Sequence, residues 1–250
     1  MKDIRTIAFK EVIPFNGIPA VYIPSLDATV ISDLHLGYEE ELAKKGILLK
    51  RTQLEEIIKE IDKIQETINT KKLILNGDIR HGFGKITKVQ KKEMEIFLLH
   101  AFNYYENIIA IRGNHDNYLK PFLRDFGIEL LEFFYEKGIL ILHGHKEKEN
   151  LVKDSEIIII GHEHPALLLK DNNGQHSKFL SFLFIPTILG NVLVILPPFS
   201  KYAGGNVFNK ESLLSEITRK YALIEEGIPF VLYEGIGTVE LPKLSLLINS

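Results

Sequence analysis

Ile157-Ile158-Ile159-Ile160-Gly161-His162-Glu163-His164-Pro165 is the stretch whose reading decides how this chain folds. Four consecutive isoleucines fit a strand covered on both faces, not one that shows a face to water. The chain then leaves the sheet through a glycine, which lets two imidazoles reach one point at the sheet's edge. Such a pair has the geometry of a metal site, and its other donors should sit at the ends of other strands.

Four further apolar runs end in the same way. Ala28-Thr29-Val30-Ile31 leads into Ser32-Asp33-Leu34-His35-Leu36-Gly37, and Lys72-Leu73-Ile74-Leu75-Asn76 into Gly77-Asp78-Ile79-Arg80-His81-Gly82. Ile108-Ile109-Ala110-Ile111 leads into Arg112-Gly113-Asn114-His115-Asp116, and Gly138-Ile139-Leu140-Ile141-Leu142 into His143-Gly144-His145. Ligands of open α/β sheets bind outside the carboxyl ends of the strands, so five such ends describe one site. Helices alternate with these strands. Thr52 is placed to cap one whose apolar positions Leu54, Ile57, Ile58, Ile61 and Ile64 keep helical spacing, and a second runs over about 88–102. Val21-Tyr22-Ile23 pairs with the first of the five strands as a hairpin. Beyond the site, Asp171-Asn172-Asn173-Gly174 reads as a hairpin turn, 211–224 as a helix and 230–240 as a strand pair.

The absence of cysteine excludes disulfides, thiolate metal sites and a cysteine nucleophile together, so a metal must be held by His, Asp, Asn or Glu. At 250 residues the chain can bury a substantial core. We expect one domain over 1–210 and an extension over 211–250 that packs on it. A formal charge of −3 means that a nucleic acid would have to be met by a local patch. Met1-Lys2-Asp3-Ile4-Arg5 lacks an apolar signal core, so a cytoplasmic location is expected. The uncharged run 179–200 is long enough to cross a bilayer. Pro186 and Gly190-Asn191 interrupt it, and it reads as two buried strands, 179–185 and 192–196, with no membrane span.

The donors are Asp33, His35, Asp78, Asn114, His143, His162 and His164. One zinc ion is satisfied by four ligands or fewer, so seven point to two divalent metals with a shared carboxylate, for which Asp78 is placed. Nitrogen and oxygen donors without sulfur suit manganese first, with iron, zinc, cobalt or nickel as alternatives. Two metals activate a water and clamp the oxygens of a displacement at phosphorus, so phosphoester hydrolysis is expected. His115, beside Asn114, is placed to protonate the leaving oxygen with Asp116 orienting its ring. Arg112 either neutralises a phosphate oxygen or is a surface arginine paired with an acid.

Other residues carry blander readings. His100 and His176 read as structural, His145 as a residue that orients a ligand, and His81 as a substrate contact or a surface histidine. Lys85, Lys88, Lys91 and Lys92 either steer a polyanion or form a solvated face. Phe179, Phe182, Phe184 and Phe199 read as core.

The ordered series Asp33-Leu34-His35, Gly77-Asp78, Gly113-Asn114-His115-Asp116, His143-Gly144-His145 and Gly161-His162-Glu163-His164 resembles the five motifs of the calcineurin-like metallophosphoesterases. The resemblance implies a two-sheet β-sandwich flanked by helices, an α/β (α+β) fold with the site on its rim. It implies that Asp33, His35, Asp78 and His164 hold one metal, that Asp78, Asn114, His143 and His162 hold the other, and that His115 donates a proton or stabilises phosphate. Asp33-Leu34-His35-Leu36-Gly37-Tyr38-Glu39, the Arg80-His81 pair and the Pro198-Phe199 loop ending at Gly204-Gly205 narrow the likeness. They are similar to archaeal phosphoesterases related to the SbcD nuclease subunit and to bacterial relatives found near DNA ligases. Ser200 stands where those relatives are expected to have asparagine. The narrower likeness implies a phosphodiester substrate such as DNA or RNA, and a helicase or ligase as partner. A phosphomonoesterase, a phosphoprotein phosphatase and a non-catalytic scaffold remain the alternative readings.

Overall fold

Alternation along Ile157–Ile160 builds the middle of the molecule. Successive side chains of a strand point to opposite faces. Ile157 and Ile159 accordingly enter a core between two sheets, whereas Ile158 and Ile160 enter another core under a helical layer. The computed structural model describes residues 10–170, 174–208 and 212–247.

The first sheet holds β1 (Ile13–Pro14), β2 (Ala20–Ile23), β3 (Ala28–Ile31), β4 (Lys72–Asn76), β5 (Asn107–Ile111) and β6 (Leu130–Leu131), in that order. The strands from β3 to β6 run parallel, and β1 and β2 complete the edge antiparallel. The second sheet holds β7 (Phe134–Glu136), β8 (Ile139–Ile141), β9 (Ile157–Ile160), β10 (Pro165–Lys170), β11 (His176–Pro186), β12 (Val192–Ile195) and β13 (Asn206–Val207). Two more strands, β14 (Ile228–Tyr233) and β15 (Gly237–Glu240), join it through β11. Its parallel trio β8, β9 and β12 carries the carboxyl ends that matter below.

Helices cover both outer faces. On the first sheet lie α2 (Gln53–Thr67), α3 (Lys88–Ala101) and α4 (Leu119–Asp125), while α1 (Tyr38–Lys44) follows the first motif and reaches the start of α2 through Glu39; Ile57, Ile61 and Ile64 of α2 pack with Met94, Phe97 and Leu98 of α3. On the second lie α5 (Glu149–Asp154), α6 (Glu216–Tyr221) and α7 (Leu244–Leu247), represented in the core by Val152, Ile217, Tyr221 and Leu244. Between the sheets, Val30, Ile74 and Ile111 meet Ile141, Ile159, Phe182 and Val194. The layers are therefore helix, sheet, sheet, helix, as the family resemblance implied.

The five donor-bearing strands divide between the sheets: β3, β4 and β5 belong to the first, β8 and β9 to the second. Several local expectations change. Thr52 sits at the N-cap of α2, but its side chain caps nothing. Glu39 accepts from the N–H groups of Thr52 (2.7 Å) and Gln53 (3.1 Å) instead, because α1 brings a carboxylate to the end where free N–H groups concentrate. Of the helix read over 211–224, the described residues form one over Glu216–Tyr221, with Ser215 as its cap. The uncharged run forms β11 and β12, paired antiparallel, and among the described residues no helix is long and apolar enough to cross a membrane. The turn at 171–173 and the boundary at residues 210 and 211 lie outside the described residues.

Candidate metal centre

The carboxyl ends of β3, β4, β5, β8 and β9 meet on one rim, and their donors fall into overlapping groups. Asp33, His35 and His164 place their ligand atoms within 4.8 Å of one another, as do Asp78, His143 and His162. A further group joins His35, Asp78 and His115, which lies across the two. Asn114 Oδ1 is 3.2 Å from His143 Nε2 and so stands at the second group. All seven predicted donors are thus on this rim.

Backbone strain marks the same residues. Asp33 (φ 57°), His35 (48°), Asp78 (48°), His162 (63°) and His164 (45°) all adopt the left-handed conformation, which costs a residue with a Cβ about 1 kcal/mol or more. Asp and His tolerate it better than most residue types. Five such residues among seven candidate ligands mean that the turns are shaped for where the side chains must point and not for backbone comfort. Glycines make the turns possible. A Cβ on Gly113 would lie 2.1 Å from Asp78 Oδ1, and one on Gly161 would lie 1.9 Å from Ser32 Oγ.

Hydrogen bonds around the donors fix their aim. Asn76 O accepts from His143 Nδ1 at 3.0 Å, which turns Nε2 toward the site. Ser32 Oγ donates to Asp33 Oδ2 at 2.6 Å and the His162 N–H at 3.2 Å, which leaves Oδ1 facing inward. That Oδ1 is fully buried and has no hydrogen-bond partner, although His164 Nε2 lies only 2.9 Å away. Both atoms belong to the group whose ligand atoms lie within 4.8 Å of one another. Nε2 of His35, 3.4 Å from Nε2 of His164, adds a second imidazole nitrogen to that group. A buried orphan oxygen among imidazole nitrogens is a donor set that a divalent cation fits.

Charges inside the cluster reinforce this. Burial would raise the Asp33 carboxyl, but the His164 and His143 rings hold it down at about 2. Asp78 is held low against the same burial, chiefly by His143. Conversely, burial would lower His143, but Asp78 and Asp33 push it up to about 9, and burial takes His35 down to about 3. A His143 pushed up in this way holds its proton at neutral pH, and a cation bound at its Nε2 would have to displace it. Metal affinity should rise about tenfold per pH unit for each displaced proton as pH climbs toward 9 and then level off. Calorimetry at pH 7 in two buffers of different ionisation heat should count at least one proton released, and a count of zero would contradict this arrangement.

The predicted catalytic residues fare unevenly. His115 lies 3.8 Å from Asp78 Oδ2 through Nε2, and its Nδ1 accepts from the Gly82 N–H at 3.1 Å. Asp116 does not touch the ring. Its buried carboxylate accepts from the N–H groups of Gly113 (2.9 Å), Ile79 (3.0 Å) and Arg80 (3.4 Å), so it ties the turns after β4 and β5 together. Arg112 pairs with Glu132 at 3.3 Å on the surface, as its blander reading supposed. The arginine that does enter the site's surroundings is Arg80. It is 1% exposed and donates to Gly84 O, Asn117 O and Gln90 Oε1, joining the loops on either side of His115. Its place in the Arg80-His81 pair was visible in the sequence, but its burial was not.

The remaining residues divide cleanly. Glu163 turns away from the centre and accepts from Leu214 N (2.9 Å) and Ser215 N (2.8 Å) ahead of α6. His145 stands 5.3 Å from the His143 ring and 6.2 Å from His162. His81 faces His35 and His115, each at 5.2 Å between ring centres. His100 pairs with Asp62 on the surface at 2.7 Å. Ser200 is buried, donates its N–H to Asp33 O and accepts from Gln53, which docks its loop on the first motif.

The family model of the calcineurin-like phosphoesterases matches residues 27–189, which run from β3 into the turn after β11. Among solved structures, the nuclease MPE of Pseudomonas putida aligns with a TM-score of 0.62 at 16% identity, over 88% of this chain and 92% of its own. The phosphoesterase Yfce of E. coli aligns at 0.43 and 16% identity, over 86% and 97%. No curated protein matches the sequence. With the motif-bearing strands, the rim and the donor groups all inside the matched span, the chain belongs to the calcineurin-like phosphoesterase family.

Proposed function

We propose that the chain is a binuclear metal-dependent phosphodiesterase acting on nucleic acid or nucleotides. The observation that carries this reading is the pair of donor groups, Asp33–His35–His164 and Asp78–His143–His162, supplied by two sheets to one rim. Asp78 is the proposed bridge, Asn114 completes the second group, and manganese is the proposed ion. When bound, two such ions lower the pKa of water and neutralise charge developing on the phosphoryl oxygens. The P. putida protein that shares this fold is named a nuclease, which is in keeping with the substrate class.

The chain's own contribution centres on His115. Because Nδ1 accepts from Gly82, the neutral ring carries its proton on Nε2, the atom that faces Asp78. Protonating Nδ1 would set two N–H groups against each other, and burial also lowers this histidine. His115 therefore serves as a neutral N–H donor to a phosphate or leaving-group oxygen, with the geometry held by Arg80 through Gly84 and Asn117. His115→Ala should reduce kcat by about 10²–10³-fold, the effect of losing one preorganised donor, with metal content unchanged. Manganese-loaded protein assayed on bis-p-nitrophenyl phosphate and p-nitrophenyl phosphate should turn over the diester. Hydrolysis of the monoester alone would replace this reading with that of a phosphomonoesterase.

A further inference from the structure

Beside the metal centre lies a cleft of about 260 Å³, whose lining includes Lys44, Lys45, His81, Phe83, Lys85 and His115. Phe83 is its anomaly. The residue is 62% exposed, although one face of its ring is stacked on the His115 imidazole at 4.1 Å between centres and 27° between planes. A large apolar side chain left open to water beside a phosphoester site has its second face available to a flat ligand. Behind it the aromatic surface continues. His81 lies nearly parallel to His115, at 19°, and Tyr38 sits 4.3 Å from His81, between their ring centres.

The charge at the cleft suits the same kind of ligand. Lys44, the last residue of α1, and Lys45 just after it are exposed, with Glu40 and Glu41 between 3.6 and 4.0 Å away. Exposed pairs at such distances contribute little, so these ammonium groups remain able to meet a phosphate. Lys85 joins them from the loop that carries Phe83. Aromatic faces that take bases, set beside cations that track a backbone, are how single strands are held without sequence preference. A base inside a duplex already has neighbours on both faces and cannot offer one to Phe83.

We propose that Phe83 is a base-stacking residue and that the enzyme takes unpaired nucleic acid, one nucleobase beside the reacting phosphate resting on Phe83 while flanking phosphates meet Lys44, Lys45 and Lys85. The inference rests on the phosphodiesterase reading of the metal centre and adds to it the class of substrate. It also assigns a purpose to the Phe83–His115 contact. A seated base would press on the ring whose Nε2 proton serves the reaction, so binding and chemistry share one imidazole.

The test compares two labelled single strands of equal length, oligothymidylate and its abasic counterpart, with wild-type, Phe83→Ala and Phe83→Tyr proteins loaded with manganese. Wild type should show a lower KM for the base-bearing strand. Phe83→Ala should shrink that advantage about tenfold, and Phe83→Tyr should restore it. Any disturbance of His115 would appear in kcat on both strands and leave the KM ratio alone. Equal KM changes on the two strands, or an unchanged ratio, would overturn the proposal. Anisotropy of the same strands bound to the Asp78→Asn protein, with and without Phe83→Ala, separates it from its foundation. Base-dependent binding that needs Phe83, without hydrolysis by the wild type, would overturn the phosphodiesterase reading and support the stacking site. Hydrolysis without dependence on Phe83 would do the reverse, and the absence of both would overturn both.

Discussion

Replacing Asp78 with asparagine should cut kcat by about a thousandfold or more and leave the protein short of at least one metal ion. The substitution keeps the shape of the side chain and an oxygen to accept from the backbone N–H of His115, a bond of 2.8 Å. It removes the charge. That carboxylate belongs to two of the three donor groups, and its neighbour His143 owes its raised basicity chiefly to it. Metal-ion stabilisation of a phosphoryl transition state is worth several kcal/mol, and each 1.36 kcal/mol is a factor of ten. Metal content and kcat measured on the same preparation, with a thermal melt to show that the fold persists, check this. Two ions per chain together with wild-type turnover would rule Asp78 out as the bridge.

Gly161→Ala should lower the melting temperature by about 6–12 °C and reduce activity by about a hundredfold, although it adds a single methyl group far from any flexible tip. The new Cβ would lie 1.9 Å from Ser32 Oγ, 2.5 Å from Asp33 Oδ2 and 3.0 Å from Ser32 Cβ. Rotating the Ser32 hydroxyl away would forfeit its bonds to Asn76 O and Asp33 and still leave the other two contacts too short. Forcing a methyl group into a packed interior costs up to about 3 kcal/mol, and each kcal/mol shifts the melting temperature of a chain this long by about 2–4 °C. A donor displaced by about 1 Å costs about 10²-fold in rate. Gly46→Ala is the informative companion. Gly46 is left-handed, at φ 82°, but meets nothing within 4 Å, so it should lose about 1 kcal/mol from backbone strain alone and keep full activity. Equal losses at the two positions would show that close approach is not what Gly161 provides.

What could be read in the sequence was what is local. An apolar run, a glycine and a donor are contiguous in Ile157–His164 and in Leu73–Asp78, so each strand end announced itself. Membership of one sheet or the other is not local. Isoleucine runs such as Ile157–Ile160 suit the middle of any covered strand, and only the pairing of β9 with β8 and β12 assigns it to the second sheet. Asp116 was misassigned because its neighbour in sequence is His115, whereas its bonding partners include the N–H groups of Ile79 and Arg80, delivered by another strand. The same blindness hid Glu39 as the partner of Thr52 and Gln53, and Leu214 and Ser215 as the partners of Glu163. Phe83 carried no pattern at all, since only its place on the His115 ring distinguishes it from a loop residue.

The two sheets are also consecutive in the chain. Among the described residues, all strands of the first lie within 13–131 and all of the second within 134–240, so the ribosome completes one stretch before it begins the other. A nascent chain halted between them holds Asp33, His35, Asp78 and Asn114, and lacks His143, His162 and His164. The half-made protein then has candidate donors from one bank of the site only, so under the proposed two-metal reading hydrolysis would begin only once the second sheet closes onto the first.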